Sequence, residues 1–297
     1  MHNFFPAGVG IAMVTPFNKE NKIDFLAVDK LIKRFLNAKV SYTVLFGTTG
    51  EAATLLDSEK KELVKYVSSH YPEMNIVIGV GGNNTSEILN TIDTWKQERH
   101  LSIKAILSVT PYYSKPSQEG LFQHYKALAS SSPWPIILYN VPGRTAVSME
   151  TELIERLSNL PNIIGIKESS GDIYESVKIA SQIPLETKFA LISGEDTISI
   201  PTYSLGACGL ISVLGNAFPD VVVDIYNKCQ EGDFKTAIQS YSKYLKLTEL
   251  LFREGNPTGI KLLLSEMGVL ENNLRLPLVA SSEELKAEIR NQLKIIT

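Results

Sequence analysis

A lysine closes the apolar run Asn162-Ile163-Ile164-Gly165-Ile166-Lys167-Glu168. Pro161 precedes the run and Ser169-Ser170-Gly171-Asp172 follows it, so it reads as a buried strand ending at a loop. Burial disfavours the ammonium form, and a lysine at such a place can act as an amine nucleophile that forms a Schiff base with a carbonyl. Alone, a strand-end lysine has a plainer use: it reaches to water or pairs with a neighbour such as Glu168. The ends of the other apolar runs change the balance. Gly47-Thr48-Thr49-Gly50-Glu51 sets two hydroxyls and several N–H groups between glycines, which suits a small carboxylate. Tyr139 ends another run, and a phenol beside a reactive amine can relay protons. Arg144 follows Pro142-Gly143, and a guanidinium clamps a carboxylate through two parallel hydrogen bonds. Taken singly, these three are a glycine turn, a packing ring and a surface cation. Ser193-Gly194-Glu195-Asp196 could bind substrate polar groups and Ile211 offers a backbone carbonyl or an apolar wall, but both read as scaffold first.

Eight short apolar runs, spaced roughly 20 to 35 residues apart as βα units require, must position these groups. They are Val9–Val14, Tyr42–Phe46, Ile76–Val80, Ala105–Val109, Ile136–Tyr139, Ile163–Lys167, Phe189–Ile192 and Gly209–Val213. Capping-box spacing opens helices at Asn84-Thr85-Ser86-Glu87 and Asp172-Ile173-Tyr174-Glu175, and Asp57 or Ser58 is the expected cap of another. The pattern predicts an α/β fold, a (β/α)₈ TIM barrel with chemistry at the C-terminal ends of its strands. An open doubly wound sheet lacks its fingerprint, because Gly79-Val80-Gly81-Gly82 reads only as a strand-end turn. After Gly232 the pattern turns purely helical, with Phe234–Phe252, Gly259–Met267 and a third helix opened by Ser281-Ser282-Glu283-Glu284. The expected division is a catalytic barrel over 1–232 and a helical domain over 233–297.

Composition narrows the partners. The 297 residues are 44% hydrophobic with a net charge of -3 and no basic block, which argues against nucleic acid and a membrane surface. Cys208 and Cys229 have no metal or redox spacing, and His2, His70, His100 and His124 are scattered, so no metal site is expected. Met1-His2-Asn3-Phe4-Phe5-Pro6 lacks a basic region ahead of its apolar stretch, so no signal peptide is expected. Tyr112 and Tyr113 lie on a loop bounded by Pro111 and Pro116, and adjacent aromatics on a projecting loop suit a subunit interface.

Gly47-Thr48-Thr49-Gly50-Glu51, Tyr139-Asn140-Val141-Pro142-Gly143-Arg144-Thr145 and Gly165-Ile166-Lys167-Glu168 together resemble the signature segments of the dihydrodipicolinate synthase family. The wider group includes N-acetylneuraminate lyase and other 2-oxo-acid aldolases. The likeness runs collinearly from Gly8 to about Pro277, and the pairing of Thr48-Thr49 with Arg144 favours the synthase. The resemblance implies condensation of pyruvate, held as an imine on Lys167 with no separate cofactor, with L-aspartate 4-semialdehyde. It implies that Thr49, with Thr48 and the backbone of Ile211, binds the pyruvate carboxylate and that Arg144 binds the second substrate. Tyr139, Thr48 and a neighbouring subunit's Tyr113 would relay protons. It further implies a cytoplasmic homo-oligomer, a tetramer of tight dimers, in lysine and diaminopimelate biosynthesis. An N-acetylneuraminate lyase or a 2-keto-3-deoxy-sugar-acid aldolase using the same lysine is the alternative. Asn83, Glu87 and Tyr112 fit a lysine-binding regulatory site. Asp57 and Lys60 stand where some lysine-inhibited members carry histidines, which leaves feedback control open.

Overall fold

A computed structural model describes residues 4–98, 101–183 and 188–296. His2, His100 and the Met1–Asn3 end lie outside the described residues. The strands are β1 Gly8–Ala12, β2 Tyr42–Leu45, β3 Ile76–Gly79, β4 Ile103–Val109, β5 Ile136–Asn140, β6 Ile163–Glu168, β7 Ala190–Ser193 and β8 Gly209–Ser212. They form a closed barrel in chain order, and the pairs from β3 to β8 and β1 with β2 are parallel. Nearly every strand side chain is buried, which is why these segments read as continuous Val/Ile/Leu runs rather than alternating ones.

The helices are α1 Phe25–Asn37, α2 Asp57–His70, α3 Thr85–Lys96, α4 Gln118–Ser131, α5 Pro142–Thr145, α6 Thr151–Ser158, α7 Ile173–Gln182, α8 Ser199–Ser204, α9 Pro219–Gln230, α10 Phe234–Arg253, α11 Thr258–Glu266 and α12 Glu283–Ile296. Asn84 caps α3 by accepting from the Ser86 N–H, and Asp172 caps α7 by accepting from the Tyr174 N–H. Glu175 does not close the expected box; its carboxylate pairs with Lys178 at 2.7 Å. The expected cap of α2 is corrected: Leu56 is the cap residue, and Glu59 reaches back to accept its N–H at 2.9 Å. At α12 the capping hydroxyl is that of Ser282, which accepts from the Leu285 N–H, while Glu254 accepts the Ser282 N–H. Strand ends shift by a residue or two for local reasons. Phe46 sits at φ 62 and ends β2 at Leu45, and the Val14 N–H leaves the ladder of β1 for the Asn216 side chain.

By contacts the chain divides into two compact units, 1–8 with 75–211 and 9–74 with 212–297. The first carries β3 to β7 and most of β8. The second carries β1, β2 and the C-terminal helices, with α10 packed on α9, α11 and α12. Among the described residues no helix is long and apolar enough to cross a membrane, and no group of three or more His, Cys, Asp or Glu could hold a metal ion.

Candidate active site

In the first unit Tyr139 on β5 lies opposite Lys167 on β6, and Asn140 lies opposite Glu168. Successive strand side chains leave on opposite faces, so Lys167 and Glu168 point apart. Lys167 is 6% exposed, and its Nζ lies 4.3 Å from the centroid of the Tyr139 ring. The Glu168 carboxylate is already engaged, accepting from Asn140 Nδ2 at 2.8 Å and from the Ser170 N–H at 2.6 Å. Burial still pushes the Glu168 acid above the usual carboxylate range, with those bonds opposing. The plain alternative for Lys167, a pair with Glu168, is therefore ruled out by geometry. Among the described residues Lys167 makes no ion pair.

The turn after β7 closes around the lysine. A Cβ at Gly194 would stand 2.8 Å from Lys167 Cε and 1.7 Å from Ser169 Oγ, so only glycine fits without displacing the stem of the amine. Burial raises the Glu195 carboxyl above its ordinary range; the Lys167 charge opposes this, Asp196 adds to it and Arg144 opposes it. Lys167, Arg144 and Glu195 thus share one electrostatic neighbourhood. Arg144 is exposed on α5, a single turn held by its own N–H to Val141 O at 2.9 Å. Ile211 is fully buried on β8.

Tyr113 differs from the buried Lys167 and Tyr139 in its exposure. Its backbone takes φ 66, and its ring is 91% exposed. Tyr112, half-exposed, donates its N–H to Asn83 Oδ1 at 2.8 Å, and exposed Glu87 lies in the first turn of α3. Asn83 and Tyr112 are therefore joined directly.

In the second unit the segment after β2 turns tightly on itself, with Gly50 N–H to Gly47 O and Glu51 N–H to Thr48 O, both 3.1 Å. The Thr15 hydroxyl donates to Gly50 O at 2.7 Å. Among the described residues the N–H groups of Thr48 and Thr49 have no acceptor, as a cradle for an anion requires. Thr48 is half-buried. Thr49 is buried, and its Oγ1 accepts from Asn256 Nδ2 at 2.9 Å, which leaves its own proton to donate.

Beneath the loop lies a cluster that sequence reasoning missed. Glu51 and Lys261 form an ion pair with both side chains fully buried. Lys261 also donates to Asn273 O at 2.8 Å, and its ammonium lies 4.2 Å from the Phe17 ring centroid. The Arg275 guanidinium lies over the same ring at 4.2 Å and donates to Glu59 at 2.8 Å, holding that carboxyl below the usual range. The only local signal is a lysine inside the apolar stretch Gly259-Ile260-Lys261-Leu262.

A parallel (β/α)₈ barrel with a buried lysine at a strand's C-terminal end, unpaired among the described residues, has the layout of a Schiff-base lyase. The sequence profile of the Dihydrodipicolinate synthetase family matches residues 6–296. The chain belongs to this family. It is 41% identical over 286 residues to the 4-hydroxy-tetrahydrodipicolinate synthase of Cytophaga hutchinsonii, covering 96% of this chain and 94% of that one. Among solved structures, a monomeric dihydrodipicolinate synthase variant superposes with a TM-score of 0.93 at 35% identity, covering 98% of this chain and 96% of that chain. The chloride-inhibited dihydrodipicolinate synthase of Acinetobacter baumannii, complexed with pyruvate, superposes with a TM-score of 0.92 at 36% identity, covering 98% of each chain.

Proposed function

We propose that Lys167 is the amine that makes this chain a 4-hydroxy-tetrahydrodipicolinate synthase, a lyase of lysine and diaminopimelate biosynthesis. The observation that carries the assignment is Lys167 itself, buried over the Tyr139 ring with no carboxylate among the described residues paired to it. The amine adds to the ketone of pyruvate and water leaves, giving an imine. Loss of a methyl proton gives an enamine, whose carbon attacks the aldehyde carbon of L-aspartate 4-semialdehyde. The substrate's own amine then closes the ring and the lysine is released. Tyr139 moves the protons, in a relay that the resemblance extends to Thr48 and to Tyr113 of a neighbouring subunit. The unengaged N–H groups of Thr48 and Thr49, with their hydroxyl protons, take the pyruvate carboxylate, a role to which the resemblance adds the Ile211 backbone. Arg144 takes the carboxylate of the aldehyde substrate.

On the same reading pyruvate is held covalently without a separate cofactor, and the protein is a cytoplasmic homotetramer with a catalytic domain over 1–232 and a helical domain over 233–297. The exposed ring of Tyr113 supports a subunit contact there. Asn83, Glu87 and Tyr112 would hold a lysine effector. Borohydride reduction with pyruvate should add a lactyl-sized mass to the peptide containing Lys167; labelling elsewhere, or none, overturns the mechanism. Pyruvate consumption with aspartate semialdehyde, set against pyruvate release from N-acetylneuraminate, separates the synthase from the lyase.

A further inference from the structure

We propose that Lys261 is a positioning residue for the pyruvate-binding loop: through Glu51 it fixes the backbone shape in which Thr48 and Thr49 present their donors. The inference rests on the function proposed above for that loop. Two non-glycine residues in the left-handed region bracket it, Phe46 at φ 62 and Glu51 at φ 53. Such backbone persists only where the surroundings hold it. The Glu51 side chain supplies the hold. One carboxylate oxygen meets the Lys261 ammonium, and the other accepts the Arg275 N–H at 3.1 Å.

The supports converge from one stretch of the C-terminal segment. Asn256, just before α11, donates to the Thr49 hydroxyl; Lys261, within α11, neutralises Glu51; Arg275, beyond it, donates to Thr54 O at 2.9 Å. The loop is thereby tied at Thr49, Glu51 and Thr54, while Thr48 is left to face a ligand. A lysine with 0% exposure cannot reach substrate, so Lys261 acts only through the loop. Its ammonium is a costly thing to bury, and burial pulls its pKa down while Glu51 opposes. A loop needing only bulk support would be served by an apolar side chain at that position.

The test compares wild type, Lys261→Met and the double variant Glu51→Gln/Lys261→Met. Thermal midpoint, both KM values, kcat and amide hydrogen exchange over residues 46–54 are measured. Misplacing binding donors by a fraction of an ångström should raise the pyruvate KM about tenfold or more. The aldehyde KM should stay within about twofold, and the pyruvate adduct should still form at saturating pyruvate. The double variant removes the buried charges, so its thermal midpoint should recover while its pyruvate KM stays raised and its loop amides exchange faster. Recovery of midpoint and pyruvate KM together would show the pair to be a stability element only. An unchanged pyruvate KM, or equal rises in both KM values, would also overturn the proposal. Should Lys261→Met fail to fold, the double variant decides. If wild type traps no pyruvate, the functional reading falls, and loop exchange alone then settles the positioning role: faster exchange sustains it and unchanged exchange ends it.

Discussion

Two lysines are buried among the described residues, and each lies over an aromatic ring: Lys167 over Tyr139 at 4.3 Å and Lys261 over Phe17 at 4.2 Å. Their surroundings otherwise differ. Lys261 has an anionic partner in Glu51 and a carbonyl acceptor in Asn273, which together consume its charge and its donors. Among the described residues Lys167 has neither, because the nearest acid in sequence, Glu168, faces the other way and is held by Asn140 and Ser170. Burial alone therefore does not make a nucleophile. A buried lysine with an ion-pair partner is a structural cation, and one left unpaired beside a phenol is available for covalent chemistry.

The largest effect should come from Lys167→Ala, which removes the covalent route. Activity should fall by at least about a thousandfold, and the borohydride-trapped pyruvate adduct should vanish. If Lys261 took up label in its place, the contrast between the lysines would be void. The converse loss is one of stability. Lys261→Met leaves the Glu51 carboxylate buried without its partner, which should cost about 3–5 kcal/mol of unfolding free energy. Denaturant unfolding measures it, and a loss under about 1 kcal/mol would mean that the pair is solvated in solution. Lys167→Met should destabilise far less, since no buried anion is orphaned.

The sequence made one lysine readable and hid the other, for a physical reason. A strand in a closed parallel sheet is buried on both faces, so Ile163–Ile166 announces its own burial, and the residue that ends the run is placed by local pattern alone. The same logic located all eight strands, and the resemblance supplied the family. Lys261 lies on a helix, where a single lysine in an apolar stretch reads as the solvated position of an amphipathic face. Its partner, Glu51, follows a different strand, and no local spacing links them. The cap of α2 departs from local pattern for a related reason: Asp57 and Ser58 are good cap residues, but Glu59 satisfies the Leu56 N–H and sets the start one residue earlier. Gly194, within the segment read as scaffold, gives no sign of its close approach to Lys167 because such an approach leaves no mark in spacing.

Smaller effects sharpen the contrast on the Lys167 side. Tyr139→Phe keeps the ring beneath the ammonium and removes only the hydroxyl. The adduct should still form, slowly, and kcat should fall on the order of a hundredfold, the size of a general acid–base step. Intact kcat would make Tyr139 a packing ring, as Phe17 is for Lys261. Arg144→Ala should leave the pyruvate adduct in place and lower kcat/KM for the aldehyde by about tenfold to a hundredfold, the worth of one charge-assisted hydrogen bond. Equal loss of both would contradict a division of labour between the amine and the guanidinium.

A third buried nitrogen base extends the comparison to pH. His124 is buried on α4, with Nδ1 2.9 Å from Thr85 Oγ1 and Nε2 without a partner among the described residues. Among the described residues no carboxylate compensates it, and burial alone pulls its pKa from 6.5 down to about 4. Between those values the unfolded chain binds a proton that the folded protein refuses. The contribution to stability is therefore complete above pH 6.5 and is lost as pH falls toward 4. Integrated from pH 7 to pH 5, the loss is about 2 kcal/mol. Other groups titrate nearby, and Glu168 and Glu195, whose carboxyls burial raises, act in the opposite sense by holding protons in the folded state. The measurement is thus a difference: unfolding free energies of wild type and His124→Asn at pH 7 and pH 5. The wild type should lose about 2 kcal/mol more than the variant over that interval. Equal losses would show that His124 finds a proton acceptor in solution, and that a buried base in this fold need not choose between a partner and neutrality.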